Sequence, residues 1–213
     1  DLVVTMKPGF SVGGHYEIEG TTSPSSQLSV LLQRVPGEGS SGSYRNAGPG
    51  RFILKGVHPG RYVIRAYVPT GWYLKSATHA GQDVADEPFE ISSDITDLVV
   101  TIANRAAQVT GVITRSDGTP APEAAVVLFP VEQARRIWSR APRLLQQVRP
   151  GPDGQYVIRG LPAGEYFLAT VRESQMDAWP DPKFLDSLAR TAVRLLLADG
   201  EARSVPLTLG AGR

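Results

Sequence analysis

Phe52-Ile-Leu-Lys-Gly-Val-His-Pro-Gly-Arg-Tyr-Val-Ile-Arg-Ala66 returns without a gap as Tyr156-Val-Ile-Arg-Gly-Leu-Pro-Ala-Gly-Glu-Tyr-Phe-Leu-Ala-Thr170, 104 residues further on. Each copy reads as strand, four-residue turn, strand. An aromatic opens it (Phe52, Tyr156), one Gly ends the first strand (Gly56, Gly160) and a second closes the turn (Gly60, Gly164). Gly tolerates positive φ and close backbone approach, and Pro presets φ for a turn. Tyr62 and Tyr166 stand two residues past the turn, placed to cover the corner with the ring and hydrogen-bond through the hydroxyl. A repeated hairpin of this kind organises a β-domain and brings no chemistry of its own.

The rest of the chain is consistent with two such domains. Its 213 residues admit one or two domains, and a repeat offset of about a hundred residues favours two. A hydrophobic content of 41% suffices for two modest cores, and a net charge of +1 gives no electrostatic case for nucleic acid or an anionic membrane. The absence of Cys excludes disulfides, thiolate catalysis and Cys-ligated zinc. No apolar run approaches the roughly 20 residues that span a bilayer. The first residue is Asp1 with no signal-peptide pattern, as expected of a processed protein or a piece of a longer one.

Asp1-Leu-Val-Val-Thr-Met6 recurs almost unchanged at Asp97-Leu-Val-Val-Thr-Ile102. The second copy ends the first repeat, just before Gln108-Val-Thr-Gly-Val-Ile-Thr114 opens the next. By that phase residues 1–6 are the last strand of a sandwich lying outside the first domain, with Leu2, Val3, Val4, Thr5 and Met6 as its interface. The expected division is an orphan strand at 1–6, one sandwich at 7–103 and a second at 104–213. Strands are predicted at 11–18, 28–35, 51–55, 61–68, 72–77, 87–91 and 97–102. In the second sandwich they are predicted at 107–114, 124–130, 144–149, 154–159, 165–172, 192–197 and 203–209. Asp117-Gly118, Asp153-Gly154 and Asp199-Gly200 mark tight hairpin turns. Residues 36–50 read as a Gly/Ser-rich loop. Its Gly37-Glu-Gly-Ser-Ser-Gly42 matches GxGxxG formally, but Pro49 and Gly50 follow where a dinucleotide fingerprint needs a helix. Two short helices are predicted in the second sandwich. Val131–Trp138 has apolar residues at helical spacing, and Asp181–Ala189 has an Asp cap, Pro at the first helical position, and Phe184, Leu185 and Leu188 on one face. Both are expected to plug an end or edge of the sandwich.

Gly111-Val-Ile-Thr114, Asp117-Gly-Thr-Pro-Ala-Pro-Glu-Ala-Ala-Val-Val-Leu128 and Asp153-Gly-Gln-Tyr-Val-Ile-Arg-Gly-Leu-Pro-Ala-Gly-Glu-Tyr166 together resemble the carboxypeptidase regulatory-like domain family. The resemblance implies a seven-stranded module of prealbumin (transthyretin-like) topology. The first domain shares the hairpin but has Thr21-Thr-Ser-Pro-Ser-Ser26 in place of the Asp-Gly-x-Pro turn. Modules of this kind look like non-catalytic appendages or repeats of large secreted or outer-surface bacterial proteins, and the fold by itself assigns no role.

A search for chemistry turns up little. His58 fills the turn slot that Pro162 fills in the other copy, His15 alternates on a strand, and His79 lies near Asp83 and Asp86; none pairs at metal-ligand spacing. No Ser sits in a nucleophile elbow. Asp83, Asp86, Glu87 and Glu90 read as a solvated strand edge, and Arg135, Arg136, Arg140, Arg143 and Arg149 as a solvated face rather than a site for an acidic polymer. Trp72, Trp138 and Trp179 would make a sugar-stacking platform if they converged; the preferred reading places Trp72 in a strand core and the other two as anchors of the helical plugs. A Lys–Asn isopeptide bond between first and last strands is disfavoured, because Asn46 and Asn104 lie outside the terminal strands.

The sequence therefore predicts an all-β protein of two tandem seven-stranded Ig-like, prealbumin-like β-sandwiches with short helical insertions in the second. The function expected is a non-catalytic structural one, in an extracellular or cell-surface filament or repeat array of a bacterial-type secreted protein, built by strand complementation. Its partners would be copies of itself or adjacent sandwich domains, with no cofactor, no metal, no nucleic acid and no membrane insertion. The alternative is a glycan-binding or regulatory accessory module of a larger secreted or surface protein.

Overall fold

The computed structural model describes residues 9–20, 22, 24, 28–35, 43–47, 50–137 and 142–210, with the backbone alone at 43–47. Among the described residues the chain is all-β apart from one short α-helix and two 3₁₀ segments. It divides into two compact units, Asp1–Asn104 and Arg105–Arg213.

Unit 1 holds β1 (Phe10–Glu19), β2 (Ser29–Arg34), β3 (Ser43–Ala47), β4 (Arg51–Val57), β5 (Gly60–Tyr67), β6 (Tyr73–His79), β7 (Gln82–Asp83), β8 (Phe89–Ile91) and β9 (Ile95–Ala103). They form a five-stranded sheet, β4-β1-β9-β6-β7, and a four-stranded sheet, β3-β2-β5-β8. Inward residues of both sheets, among them Val12, Leu32, Leu54, Ile64, Leu98 and Val100, share one core. Every strand predicted here is present, with two additions, the two-residue β7 and β3. Ser43–Ala47, read from its composition as loop, is a strand paired antiparallel to β2. The ladder that β2 offers outweighs the weak intrinsic preference of that stretch.

Unit 2 holds β10 (Ala107–Thr114), β11 (Ala124–Pro130), β12 (Gln146–Val148), β13 (Gln155–Leu161), β14 (Gly164–Arg172), helix α1 (Pro182–Leu188), β15 (Val193–Leu197), β16 (Ala202–Ser204) and β17 (Leu207–Thr208). One sheet runs β13-β10-β16 with β17 also on β10, and the other runs β12-β11-β14-β15. The last strand, predicted as one run over 203–209, is two, because Val205 and Pro206 interrupt it. Pro has no N–H to give a ladder. Where seven strands were expected per sandwich, the described residues form nine in unit 1 and eight in unit 2.

Both units are built on the same three devices. The first is a Gly under an aromatic. Gly14 faces Phe52 and Gly111 faces Tyr156. A Cβ on Gly14 would stand 1.9 Å from the Leu98 carbonyl oxygen, and one on Gly111 would stand 2.0 Å from that of Val205. The final strand passes too close for any side chain, and the ring opposite fills the space instead. The second device is a bulge. Lys55 and Gly56 together oppose Ser11, as Arg159 and Gly160 together oppose Gln108. Gly56 (φ 73°) and Gly160 (φ 74°) take the left-handed conformation that such a bulge requires. The third is the corner. Tyr62 donates its hydroxyl hydrogen to the His58 carbonyl and Tyr166 does so to that of Pro162, each at 2.9 Å.

The first and last strands of each unit lie side by side and parallel. β1 pairs with β9 from Val12↔Ile95 to Glu19↔Ala103, and β10 pairs with β16 and then β17.

The units part company between the hairpin and the penultimate strand. In unit 1 the chain makes β6 and β7, and β6 lies antiparallel against β9. In unit 2 the chain leaves β14 into a 3₁₀ segment at Glu173–Ala178 and then α1. Asp181 caps α1 by accepting the Lys183 amide at 2.9 Å, and Pro182 takes its first position, as predicted. Of the stretch Val131–Trp138, only Gln133–Arg135 is helical, as a 3₁₀ turn, and Trp138 lies outside the described residues.

These insertions cover a face rather than plugging an end. All seven residues of β11 are buried, so both faces of its sheet are covered. Leu128 and Leu168 share the side that meets the other sheet, as do Val126 and Thr170. Phe129 and Phe167 point the other way, their rings 5.5 Å apart, with the Arg136 guanidinium over both. Met176 and Leu185 are buried in the same cluster.

Candidate functional site

The residues singled out in the sequence do not gather at one place. Leu2, Val3, Val4, Thr5 and Met6 lie outside the described residues, as do Trp138, Arg140 and the Gly37–Gly42 motif. Trp72 is half-buried against the core of unit 1, and Trp179 is half-buried against the core of unit 2. Each ring serves the packing of its own unit.

The histidines take separate places. His58 gives its carbonyl to the Tyr62 corner, and His15 approaches Glu17 at 3.7 Å. His79 Nδ1 lies 2.7 Å from Asp97 Oδ1, and Asp97 Oδ2 accepts the Ala80 amide at 2.9 Å. That carboxylate fastens the β6–β7 turn, where Ala80 is held at φ 49°. The Ala80 amide, with His79 beside it, keeps the Asp97 carboxyl below the usual carboxylate range. Asp83 Oδ1 accepts the Ala77 and Ala85 amides, so it serves a loop rather than a reaction. Among the described residues no group of three or more His, Asp or Glu could hold a metal ion.

The arginines expected on a solvated face divide. Arg135, half-buried, pairs with Glu132 at 2.9 Å, and the exposed Arg149 approaches Glu173 at 3.6 Å. Arg136 is buried instead. It donates to the carbonyls of Pro130 (3.0 Å) and Val131 (2.6 Å) and to Asp186 Oδ1 (2.6 Å), and so ties β11 to α1. A buried guanidinium needs this full set of acceptors, because leaving one donor bare costs about 1–3 kcal/mol.

Two buried phenols lie beside the glycine–aromatic pairs of the frame, Tyr16 against Phe52 and Tyr156 opposite Gly111. Burial pushes the Tyr16 hydroxyl up to about 12, and the ring leans on Phe52 at 5.3 Å. Burial also raises Tyr156, whose hydroxyl donates to the Val205 carbonyl at 2.6 Å. Neither phenol ionises near neutrality; Tyr16 serves packing, and Tyr156 serves packing and a hydrogen bond.

The feature that the sequence did not show is a groove in unit 2 of about 630 Å³. It runs between β14 and the last strand, lined by Leu168, Thr170, Arg172, Thr191, Val193 and the stretch Pro206–Gly210. In unit 1 the strand beside β9 is β6; among the described residues no strand lies beside β16–β17 on that side. Two side chains of β14 reach across: Thr170 Oγ1 donates to the Thr208 carbonyl at 3.2 Å, and Arg172 donates to that of Gly210 at 2.7 Å. The signals in the sequence were the helix where a strand was due and the Pro in the final strand.

No family model matches the chain, and no curated protein matches it either. Solved structures do. A minor pilin of Streptococcus agalactiae is similar at 12% identity, over 96% of this chain and 98% of that one, with a TM-score of 0.34. The shaft pilin SpaA of Lactobacillus rhamnosus GG is similar at 8% identity, over 97% of this chain and all of that one, with a TM-score of 0.33. The TIE protein of Bacillus anthracis is similar at 10% identity and a TM-score of 0.31; the match covers 93% of this chain and 33% of that protein's length. Likenesses at these scores assign no role. No helix among the described residues is long and apolar enough to cross a membrane.

Proposed function

We propose that this chain is a non-catalytic structural segment of an extracellular or cell-surface array, made of sandwich units of the carboxypeptidase regulatory-like, prealbumin-topology kind. In this reading residues 1–6 contribute a strand to a sheet outside unit 1, belonging to another subunit or to a preceding domain of the same polypeptide. The observation that carries the reading is the frame repeated in both units. The residues that recur between them are the Gly under an aromatic, the bulge Gly and the corner Tyr. All three serve backbone geometry and closure of the sandwich, which is what a repeat needs and a catalyst does not.

The copy of residues 1–6 supports the second half of the reading. Within Asp97–Ile102, Leu98, Val100 and Ile102 are fully buried, and the strand is bonded on both sides, by β1 and by β6. Leu2, Val4 and Met6 stand at the matching positions. A segment of that pattern left in water would expose apolar side chains and unpaired backbone, and addition to a sheet edge relieves both. The test is deletion of residues 1–6, or Val3→Asp combined with Val4→Asp, followed by electron microscopy and sedimentation. Assembly is expected to be lost while amide protection in both units persists. Normal assembly of the truncated chain would overturn the reading.

A further inference from the structure

We propose that the open edge of β16–β17 in unit 2 is the acceptor for that strand, and that it takes residues 1–6 of a second copy of this chain. The inference rests on the strand-donation reading above and names the surface it needs.

The argument begins with the direction of backbone groups. The Gln108 amide donates to Glu201, and the Val205 and Leu209 amides donate to Thr110 and Thr114. Residues of odd number along 201–209 therefore face β10, and the main-chain groups of Ala202, Ser204 and Thr208 face away from it. The corresponding side of β9 in unit 1 is bonded to β6 over Tyr73↔Ala103 to Thr78↔Val99. Unit 2 spends the equivalent stretch of chain on the 3₁₀ segment and α1, which cover the far face of the other sheet. Beside β17 that strand position is left as the 630 Å³ groove, which Pro206–Gly210 line, and the outward edge of β16 continues it.

Size and chemistry fit the occupant. Six residues of extended chain span about 20 Å, and the edge from Ala202 to Thr208 spans about 23 Å. The groove offers Leu168, Val193, Leu207 and Leu209 to one face of an incoming strand, and Leu2, Val4 and Met6 form such a face at every second residue. By analogy with β6 on β9, the strand runs antiparallel to β16–β17. Where Thr170 and Arg172 now hold the carbonyls of Thr208 and Gly210, the incoming backbone would take over the outward groups that those side chains partly serve. Pro206 offers no donor, so bonding is confined to the two ends of the edge.

The chain has no Cys, so single-cysteine variants report contact cleanly. Val3→Cys and Thr5→Cys chains are each mixed with a Ser204→Cys chain under mild oxidation, with a Ser187→Cys chain on α1 as the control acceptor. A mixed disulfide to Ser204→Cys at least tenfold above that to Ser187→Cys is expected from one of the two donors. In parallel, Val193→Asp, in the groove, is expected to weaken self-association of the full chain at least tenfold. Leu196→Asp, on the same strand but 65% exposed and away from the groove, should leave it unchanged. If Val3→Asp with Val4→Asp abolishes association while Val193→Asp does nothing and no Ser204→Cys disulfide forms, the acceptor is elsewhere; the proposed function then stands and this inference falls. If Val3→Asp with Val4→Asp also leaves association intact, both fall. A disulfide formed only when both cysteines are in one chain, or self-association that needs Val193 but not residues 1–6, assigns the groove to another occupant and overturns the inference.

Discussion

Between the hairpin and the penultimate strand, unit 1 places β6 against β9, whereas unit 2 places a 3₁₀ segment and α1 over β11 and β14. The same frame thus closes in two ways. The strand pair extends one sheet by two and leaves the other sheet's outer side with exposed residues such as Tyr67. The helical cover buries both faces of β11 and leaves the last strand with one neighbour fewer. What recurs, the glycines, the bulge and the corner, is fixed by backbone approach and cannot vary. What differs is a connection, and it decides which edge of the unit is open.

The comparison can be broken most severely where the units agree. Gly14→Val and Gly111→Val each force a side chain to within about 2 Å of a main-chain oxygen of the final strand. The cost is expected above about 4 kcal/mol, the exceptional class of single substitutions. Hydrogen exchange should show unit 1 opened by the first and unit 2 by the second. Full protection in either variant would mean that the final strand does not pass over that glycine. Where the units differ, truncations should be local. Leu185 is fully buried under the helical cover and Leu74 packs in the core from β6. Leu185→Ala should destabilise unit 2, and Leu74→Ala unit 1, by about 3 kcal/mol each. A Leu185→Ala chain with unchanged unfolding would mean that the helix is ornament rather than cover.

The smallest expected effect concerns acid. The Asp97 carboxyl titrates lower folded than unfolded, so its contribution is fully present above the unfolded value of about 3.9. It is lost as pH falls through the lower folded value. Amide exchange of the β6–β7 turn should accelerate below about pH 4, and Asp97→Asn should remove that dependence. Among the described residues unit 2 has no counterpart turn; its own lowered carboxyls, Asp117 and Glu201, sit in the β10–β11 and β15–β16 connections.

The sequence made most of this frame readable. The corner hydroxyls could be foreseen because a Tyr two residues past a turn has few other uses, and α1 because Asp181-Pro182 is both a cap and a first turn. β3 could not, since Ser43–Ala47 is a strand through its partner rather than its side chains. Arg136 read as surface charge because nothing local reveals that Asp186, fifty residues on, meets it in the interior. The groove was hard to read for a related reason: it is made by a strand that is not there, and its only signals, α1 in that strand's place and Pro206, are indirect.

The parallel pairing of first and last strands has a mechanical meaning. Tension applied to unit 1 through the start of β1 and the end of β9 runs along their shared ladder, in shear. The bonds from Gly14↔Leu98 to Glu19↔Ala103 then bear load together instead of parting one at a time, as they would if the strands were peeled apart. In unit 2 the same load meets a ladder divided at Val205 and Pro206, with three pairs before the break and two after it. Under pull, the second unit is the one built to yield first, and its yielding would spare the first.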